Sequence, residues 1–233
     1  MISFSSDVEV DLVQVCASDL QVARAAWVST KGKDAREAEG RIDGLINYLM
    51  KNRHGSPFEH NMFTFFIRCP LFVVREFHRH RVGWSYNEWS GRYDEMKPDF
   101  YVPREGRKLV QIGANGHYSF EEGTDEQYFA TKTLIRQASV DSWAKYQNML
   151  ALGIAKEVAR DVLPLNIFTQ FYATCNARSL MHYLSLRTEV PTATFPSKPL
   201  DEIQLVSNKM EALFKEAMPV THEAWNRNGR VSP

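Results

Sequence analysis

Cysteine is scarce in this chain and poorly placed for crosslinking. Cys16, Cys69 and Cys175 are an odd number, far apart, with no CxxC, which fits a reducing compartment better than a disulfide framework. No run approaches about 18 continuous apolar residues, the minimum for a bilayer span. An excess of one charge sign is also missing: 28 Lys+Arg balance 28 Asp+Glu. The whole-molecule field therefore gives no argument for nucleic acid or a membrane, and any anion site must come from local clustering. GxxxxGK[ST], GxGxxG and GxSxG are all absent, so no P-loop, dinucleotide-binding turn or serine-hydrolase elbow is written here. The opening MISFSSDVEVDL lacks a basic segment ahead of an apolar run, so no signal peptide is indicated and a cytoplasmic protein is expected. With 233 residues, 44% apolar and 24% charged, the composition is that of a soluble globular protein. Without repeats or a low-complexity linker, one domain spanning residues 1–233 is expected.

The periodicities are clearest in the helices. Val8 to Val15 is valine-rich and partly alternating, a strand. Asp19 to about Val28 reads as a helix capped by Ser18 or Asp19. Ile42, Leu45, Ile46, Leu49 and Met50 form one apolar stripe, and Lys51-Asn52-Arg53-His54-Gly55 is a stop signal. Met62 to Arg68 reads as a strand, and Pro70 suits the first turn of a helix, LFVVREFHRHR. Residues 82–124 lack helical periodicity and read as loops with a hairpin around Gly113-Ala114-Asn115-Gly116. Thr124 to Leu152 is helical, Gly153 separates it from Ala155 to Val162, and Pro164 stops that segment. Ile167 to Cys175 is a second aromatic, β-branched strand. Asn176 then caps a helix to about Arg187, and a long helix runs near Leu200 to Met218. Strands among long helices without regular βαβ alternation predict an α+β fold, a mixed or antiparallel sheet with flanking helices.

Chemistry-bearing residues concentrate in three islands. The densest is His78-Arg79-His80-Arg81-Val82-Gly83-Trp84-Ser85-Tyr86-Asn87-Glu88-Trp89-Ser90-Gly91-Arg92-Tyr93. Three arginine forks suit a phosphorylated ligand, and the aromatic neighbours could stack on a planar ring. The bland alternative is a solvated basic helix end followed by an ordinary loop. His78 and His80 also form an HxH pair. On a helix two residues turn about 200°, which points them apart; on a strand they would share a face and zinc would be conceivable. The second island is Arg53-His54-Gly55-Ser56-Pro57-Phe58-Glu59-His60, either polar donors before a strand or merely a turn. The third joins Arg160-Asp161-Val162-Leu163-Pro164-Leu165-Asn166 to the Asn176 helix. There Arg178, His182 and Ser185 share a face, while Arg187 at the helix end has a sufficient dipole explanation.

Taken together and in order, these islands resemble the flavin-dependent thymidylate synthase family. Arg79-His80-Arg81 with Asn87-Glu88-Trp89-Ser90-Gly91-Arg92-Tyr93, the HGSPFEH segment, and LPLN followed by NARSLMHYLSLR carry the likeness, which extends from about residue 8 to 226. Eight residues rather than the family's seven separate Arg81 from Ser90, the extra one falling in Val82-Gly83-Trp84. The resemblance implies reductive methylation of deoxyuridylate to thymidylate, with methylenetetrahydrofolate supplying the carbon, FAD the hydride and NADPH the reduction of the flavin. It implies a homotetramer with active sites between subunits. It places Ser56, Arg79, His80, Arg81, Glu88, Asn176, Arg178 and His182 at FAD, with His54 near flavin and folate. It places Glu76, Arg79, Glu88, Ser90, Gly91, Arg92, Arg160 and Arg187 at deoxyuridylate, Arg187 being the activating arginine. Glu76 stands where the family often has glutamine. A carboxylate near phosphate is unfavourable, so Glu76 is expected to pair with an arginine instead.

Two rival functions remain open at this level. A nucleic-acid module built on HRHR predicts a steeply salt-dependent affinity, and a zinc hydrolase would use His78 and His80.

Overall fold

The computed structural model describes residues 1–114 and 117–233. In chain order the elements are β1 Ser3–Ser5, β2 Glu9–Cys16, α1 Asp19–Lys31, α2 Asp43–Lys51, β3 Met62–Pro70, α3 Leu71–Phe77, β4 Trp84–Glu88, β5 Asp99–Tyr101, β6 Val110–Ala114, β7 His117–Glu121, α4 Asp125–Ala151, α5 Lys156–Ala159, β8 Phe168–Cys175, α6 Ala177–Arg187, α7 Asp201–Ala217 and α8 Pro219–Arg227. The fold is α+β. Two compact units emerge, each assembled from three stretches of chain. One comprises Met1–Asp7, Cys69–Arg75 and Trp89–Thr169; the other comprises Val8–Arg68, Glu76–Glu88 and Gln170–Pro233.

The second unit is organised on a four-stranded sheet of order β2-β3-β8-β4. β2 runs antiparallel to β3, with Val10 opposite Ile67, and β4 runs antiparallel to β8, with Tyr86 opposite Ala173. Strict alternation on β3 buries Phe63, Phe65, Ile67 and Cys69 on one face, because successive side chains of a strand point to opposite faces. Each large apolar side chain so buried contributes about 1.5–3 kcal/mol. Helices cover that face: Phe214 of α7 meets Phe63 edge-on at 5.9 Å. α1 is capped by the Ser18 side chain, which accepts from Gln21 N. The Asp19 carboxylate accepts from Val220 N, Thr221 N and Thr221 Oγ1, tying α1 to the start of α8. α6 is capped by Asn176, as its sequence predicts.

The first unit pairs β1 with β5 in parallel and carries the β6–β7 hairpin. Its long helix α4 opens with a capping box formed by Thr124 and Gln127. It closes where Gly153 adopts φ 76. There Gly153 N donates to Leu150 O and Ile154 N donates to Met149 O, the paired bonds of a left-handed helix stop. Asn166 Nδ2 bridges the Tyr101 carbonyl and Ser139 Oγ.

Several expectations need correction. The helix following Pro70 ends at Phe77, so His78-Arg79-His80-Arg81 is neither helix nor strand. The cause is Tyr86, whose hydroxyl donates to the carbonyls of both Phe77 and His80 at 3.0 Å and satisfies the chain where a further turn would have begun. Residues 82–124 are not all loop: they hold β4, β5 and both strands of the predicted hairpin, whose turn at Asn115-Gly116 lies outside the described residues. β1 and α8 also escape the sequence reading. Pro219 opens α8 at a position where its missing N–H has no helical partner to lose. The stop of α2 uses Arg53, not Gly55, as its left-handed residue (φ 60). Among the described residues no helix is long and apolar enough to cross a membrane.

Candidate active site

Arg187 ends α6 with its side chain only 18% exposed. Its Nε donates to His80 Nε2 at 3.2 Å, Nη1 pairs with the Glu76 carboxylate, and Nη2 reaches the Glu76 carbonyl at 3.4 Å. His80 is buried and packs its ring on Tyr183 at 4.9 Å and His182 at 6.0 Å. Burial first, then the positive Arg187 and the neighbouring His182, lower its pKa from 6.5 to about 4. At neutral pH His80 is therefore an uncharged acceptor for Arg187 Nε. The expected pairing of Glu76 with an arginine is present, and the arginine is Arg187.

A second gathering surrounds the start of α6. A cleft of about 500 Å³ is lined by Glu59, Val82, Gly83, Asn176, Arg178 and His182, with Ser179 and the Ser232-Pro233 segment completing it. Ser179 Oγ donates to Val82 O at 2.9 Å. Arg178 is engaged by Glu59 Oε1 and by the Pro233 carbonyl, each at 2.6 Å. A Cβ on Gly55 would lie 2.6 Å from Arg178 Nε, so the His54-Gly55-Ser56 turn runs against that arginine. Gly83 has φ 70, and a Cβ there would meet Ser179 Oγ at 2.3 Å and Asn176 Nδ2 at 2.9 Å. Only glycine fits so close a backbone approach. Arg79 and Arg81 are exposed and have no acidic partner among the described residues. Glu88 closes β4 at an exposed position.

In the other unit, Ser90, Gly91, Arg92 and Arg160 come together. Ser90 Oγ accepts from Arg92 N, and a Cβ on Gly91 would lie 3.4 Å from Arg160 Cδ. Arg92 pairs with Glu157 at 2.9 Å, but both are about half exposed, so this pair is weak, about 0–1 kcal/mol, and exchangeable for a ligand anion.

Sequence reasoning missed Glu59, Gly83 and Ser179 as site builders. A glycine following a basic run was the one available signal. Trp84 and Tyr86, read as ring-stacking candidates, stack on each other at 5.7 Å. Ser185 Oγ is spent on the His182 carbonyl. Among the described residues no group of three or more His, Cys, Asp and Glu is arranged to hold a metal ion.

Residues 11–220 match the family described as thymidylate synthase complementing protein. The chain belongs to this thymidylate synthase complementing family. Flavin-dependent thymidylate synthases from Streptomyces avermitilis and Tropheryma whipplei strain TW08/27 are 55% and 49% identical to it; the alignments cover 99% of this chain in both cases and 96% and 97% of those proteins. The crystal structure of a UMP/dUMP methylase, PolB from Streptomyces cacaoi bound with 5-Br dUMP, superposes with a TM-score of 0.94 at 48% identity, covering all of both chains. That relative was also solved with 5-Br UMP. For a family named after thymidylate synthesis, three arginine-bearing clusters and a neutral histidine beside a shielded guanidinium are chemically apt.

Proposed function

We propose that this chain is a flavin-dependent thymidylate synthase that methylates dUMP to dTMP, with FAD as cofactor and methylenetetrahydrofolate and NADPH as co-substrates. The observation that carries the reading is Arg187, held in a shielded site against a neutral His80. C5 of uracil is a poor nucleophile until negative charge develops along N3–C4–O4. A preoriented cation in a water-poor site stabilises that charge, and arginine does so without losing its proton. Two of the three cysteines are poorly suited to act as a nucleophile: Cys69 and Cys175 are buried, and burial raises the Cys175 pKa, disfavouring its thiolate.

The residues present fit a flavin dinucleotide. Gly83 and Ser179 leave backbone close to the α6 N-terminus, the positive end of a helix dipole and a natural anion site. Arg178 and His182 stand in the same cleft, with Arg79 and Arg81 as further exposed cations. Asn176, Arg178, His182, Ser56, Arg79, His80, Arg81 and Glu88 would hold FAD, and His54 would lie near flavin and folate. When bound, the flavin supplies the reducing equivalents. Ser90, Gly91, Arg92 and Arg160 would bind the nucleotide with Arg79 and Glu88, the arginines meeting its phosphate in bidentate fashion. Four copies would assemble with active sites between subunits.

Purified protein should be yellow or take up FAD, and should form dTMP only when dUMP, methylenetetrahydrofolate and NADPH are all present. Protein that binds no FAD at tens of micromolar (roughly −6 kcal/mol) and makes no dTMP would overturn the reading. The relative solved with 5-Br UMP supports a second substrate, the ribonucleotide, and the same assay with UMP in place of dUMP measures it.

A further inference from the structure

We propose that Glu76 is a positioning residue for Arg187, acting through the guanidinium and not on the nucleotide. The inference rests on the thymidylate synthase reading above. Three of the five guanidinium N–H donors are already assigned, all to the end of α3 and the residues just beyond it: Nε to His80 Nε2, one Nη1 hydrogen to the Glu76 carboxylate, and one Nη2 hydrogen to the Glu76 carbonyl. Two donors remain to face a substrate, and the three grips fix which two they are.

The backbone beneath is equally constrained. Thr188, the next residue, is buried; its Oγ1 donates to Leu184 O at 2.7 Å and accepts from Arg230 Nη2 at 2.8 Å. Arg230 is itself clamped by both Glu211 oxygens, at 2.6 and 2.7 Å. With the main chain pinned, the only substantial freedom left to Arg187 is its own rotamer, and Glu76 is the charged group that limits it. His80 cannot substitute, because it is neutral and offers a single acceptor.

A carboxylate committed to this pair is also a poor ligand for a nucleotide. It accepts hydrogen bonds and donates none when ionised, and it repels phosphate. Bound to Arg187 it does neither harm nor recognition; it holds the cation still. Glutamine at this position would keep the acceptor oxygen and lose the charge, which makes Glu76→Gln the conservative variant that separates geometry from direct contact.

The test uses holoenzyme loaded with FAD and four variants: Glu76→Gln, Glu76→Ala, Arg187→Ala and the Glu76→Ala/Arg187→Ala double. Losing one preorganised donor outright typically lowers a rate by about 10²–10³, so a guanidinium that is present but loose should lose about tenfold. Expected for Glu76→Ala are a fall of that order in kcat for thymidylate formation, a KM and a calorimetric Kd for dUMP within about threefold of wild type, and unchanged NADPH oxidation. Glu76→Gln, which keeps an acceptor oxygen but not the charge, should recover only part of the loss, and the double variant should be no worse than Arg187→Ala alone. Independently of turnover, the Arg187 Nε–H proton resonance of the ligand-free protein should be visible in wild type and lost to solvent exchange in Glu76→Ala. Three results overturn the proposal: a Glu76→Ala enzyme with wild-type kcat, a dUMP Kd that rises tenfold or more while kcat holds, or an Nε–H resonance indifferent to the substitution. Wild-type protein that makes no thymidylate would sink the functional reading instead, and the resonance would still decide the positioning.

Discussion

His80 shows how far a residue's role can depart from its neighbours in the sequence. Arg79, His80 and Arg81 are three consecutive basic residue types in the sequence, and the two arginines are exposed with no acidic partner among the described residues. His80 turns inward and becomes an acceptor because burial and Arg187 both oppose its proton. The folded-state pKa of about 4 lies below the ordinary 6.5, so the unfolded chain binds the extra proton between those values. The stability associated with neutral His80 is thus fully present above pH 6.5 and lost as pH falls toward 4. Wild type should lose about 2 kcal/mol between pH 7 and pH 5 that His80→Gln does not lose, read from urea midpoints of both proteins at the two pH values. Equal losses would mean that His80 takes up its proton without penalty. The candidate site could be proposed from sequence because its arginines, asparagine and histidines stand in motifs that resemble the family's. Their polarity of use was not, because burial is a property of the packed core and is absent from the local sequence.

The elements divide by length in much the same way. α1, α2, α4, α6 and α7 were legible, since each carries either several turns of apolar spacing or a capping residue such as Asn176 or Thr124. β3 and β8 were legible from aromatic and β-branched runs. β4 was not: Trp84-Ser85-Tyr86-Asn87-Glu88 is a short edge strand whose alternation is half polar, and its identity comes from pairing with the distant β8. β1 and β5 have three residues each, too few for any period to register. The premature end of α3 depends on the same unreadable strand through Tyr86. Replacing Tyr86 with Phe removes one donor serving two carbonyls and should destabilise the fold by about 1–2 kcal/mol. Exchange of the His80 amide, which donates to Phe77 O at 2.8 Å, should accelerate in the variant. An amide protected as well as in wild type would show that the helix end holds without the phenol.

At the scale of the molecule, α4 stands out for how little of it is buried. Of its 27 residues only Ser139 and Tyr146 are buried, while Phe129 and Leu134 are 74% and 64% exposed. Apolar side chains presented this way suit a surface buried by further copies, in keeping with the tetramer proposed above. Light scattering at micromolar concentration should give four times the 26.8 kDa chain mass, and replacing Phe129 and Leu134 together with glutamate should shift it downward; a wild-type monomer would refute the assembly. The interleaving of the two units along the chain has another consequence, one of timing. β3 is complete at Pro70, but its sheet neighbour β8 begins at Phe168. At about 5–20 residues per second a ribosome needs roughly 5–20 s to make the stretch between them. Throughout that interval Phe63, Phe65 and Ile67 have been synthesised without the strand beside which they will be buried, and α1 still lacks the Thr221 hydroxyl from which its Asp19 will accept. The nascent chain therefore carries unburied aromatic surface for seconds on end, and the Phe63 face stays uncovered until Phe214 of α7 follows, which is the interval in which it most needs a chaperone's hold.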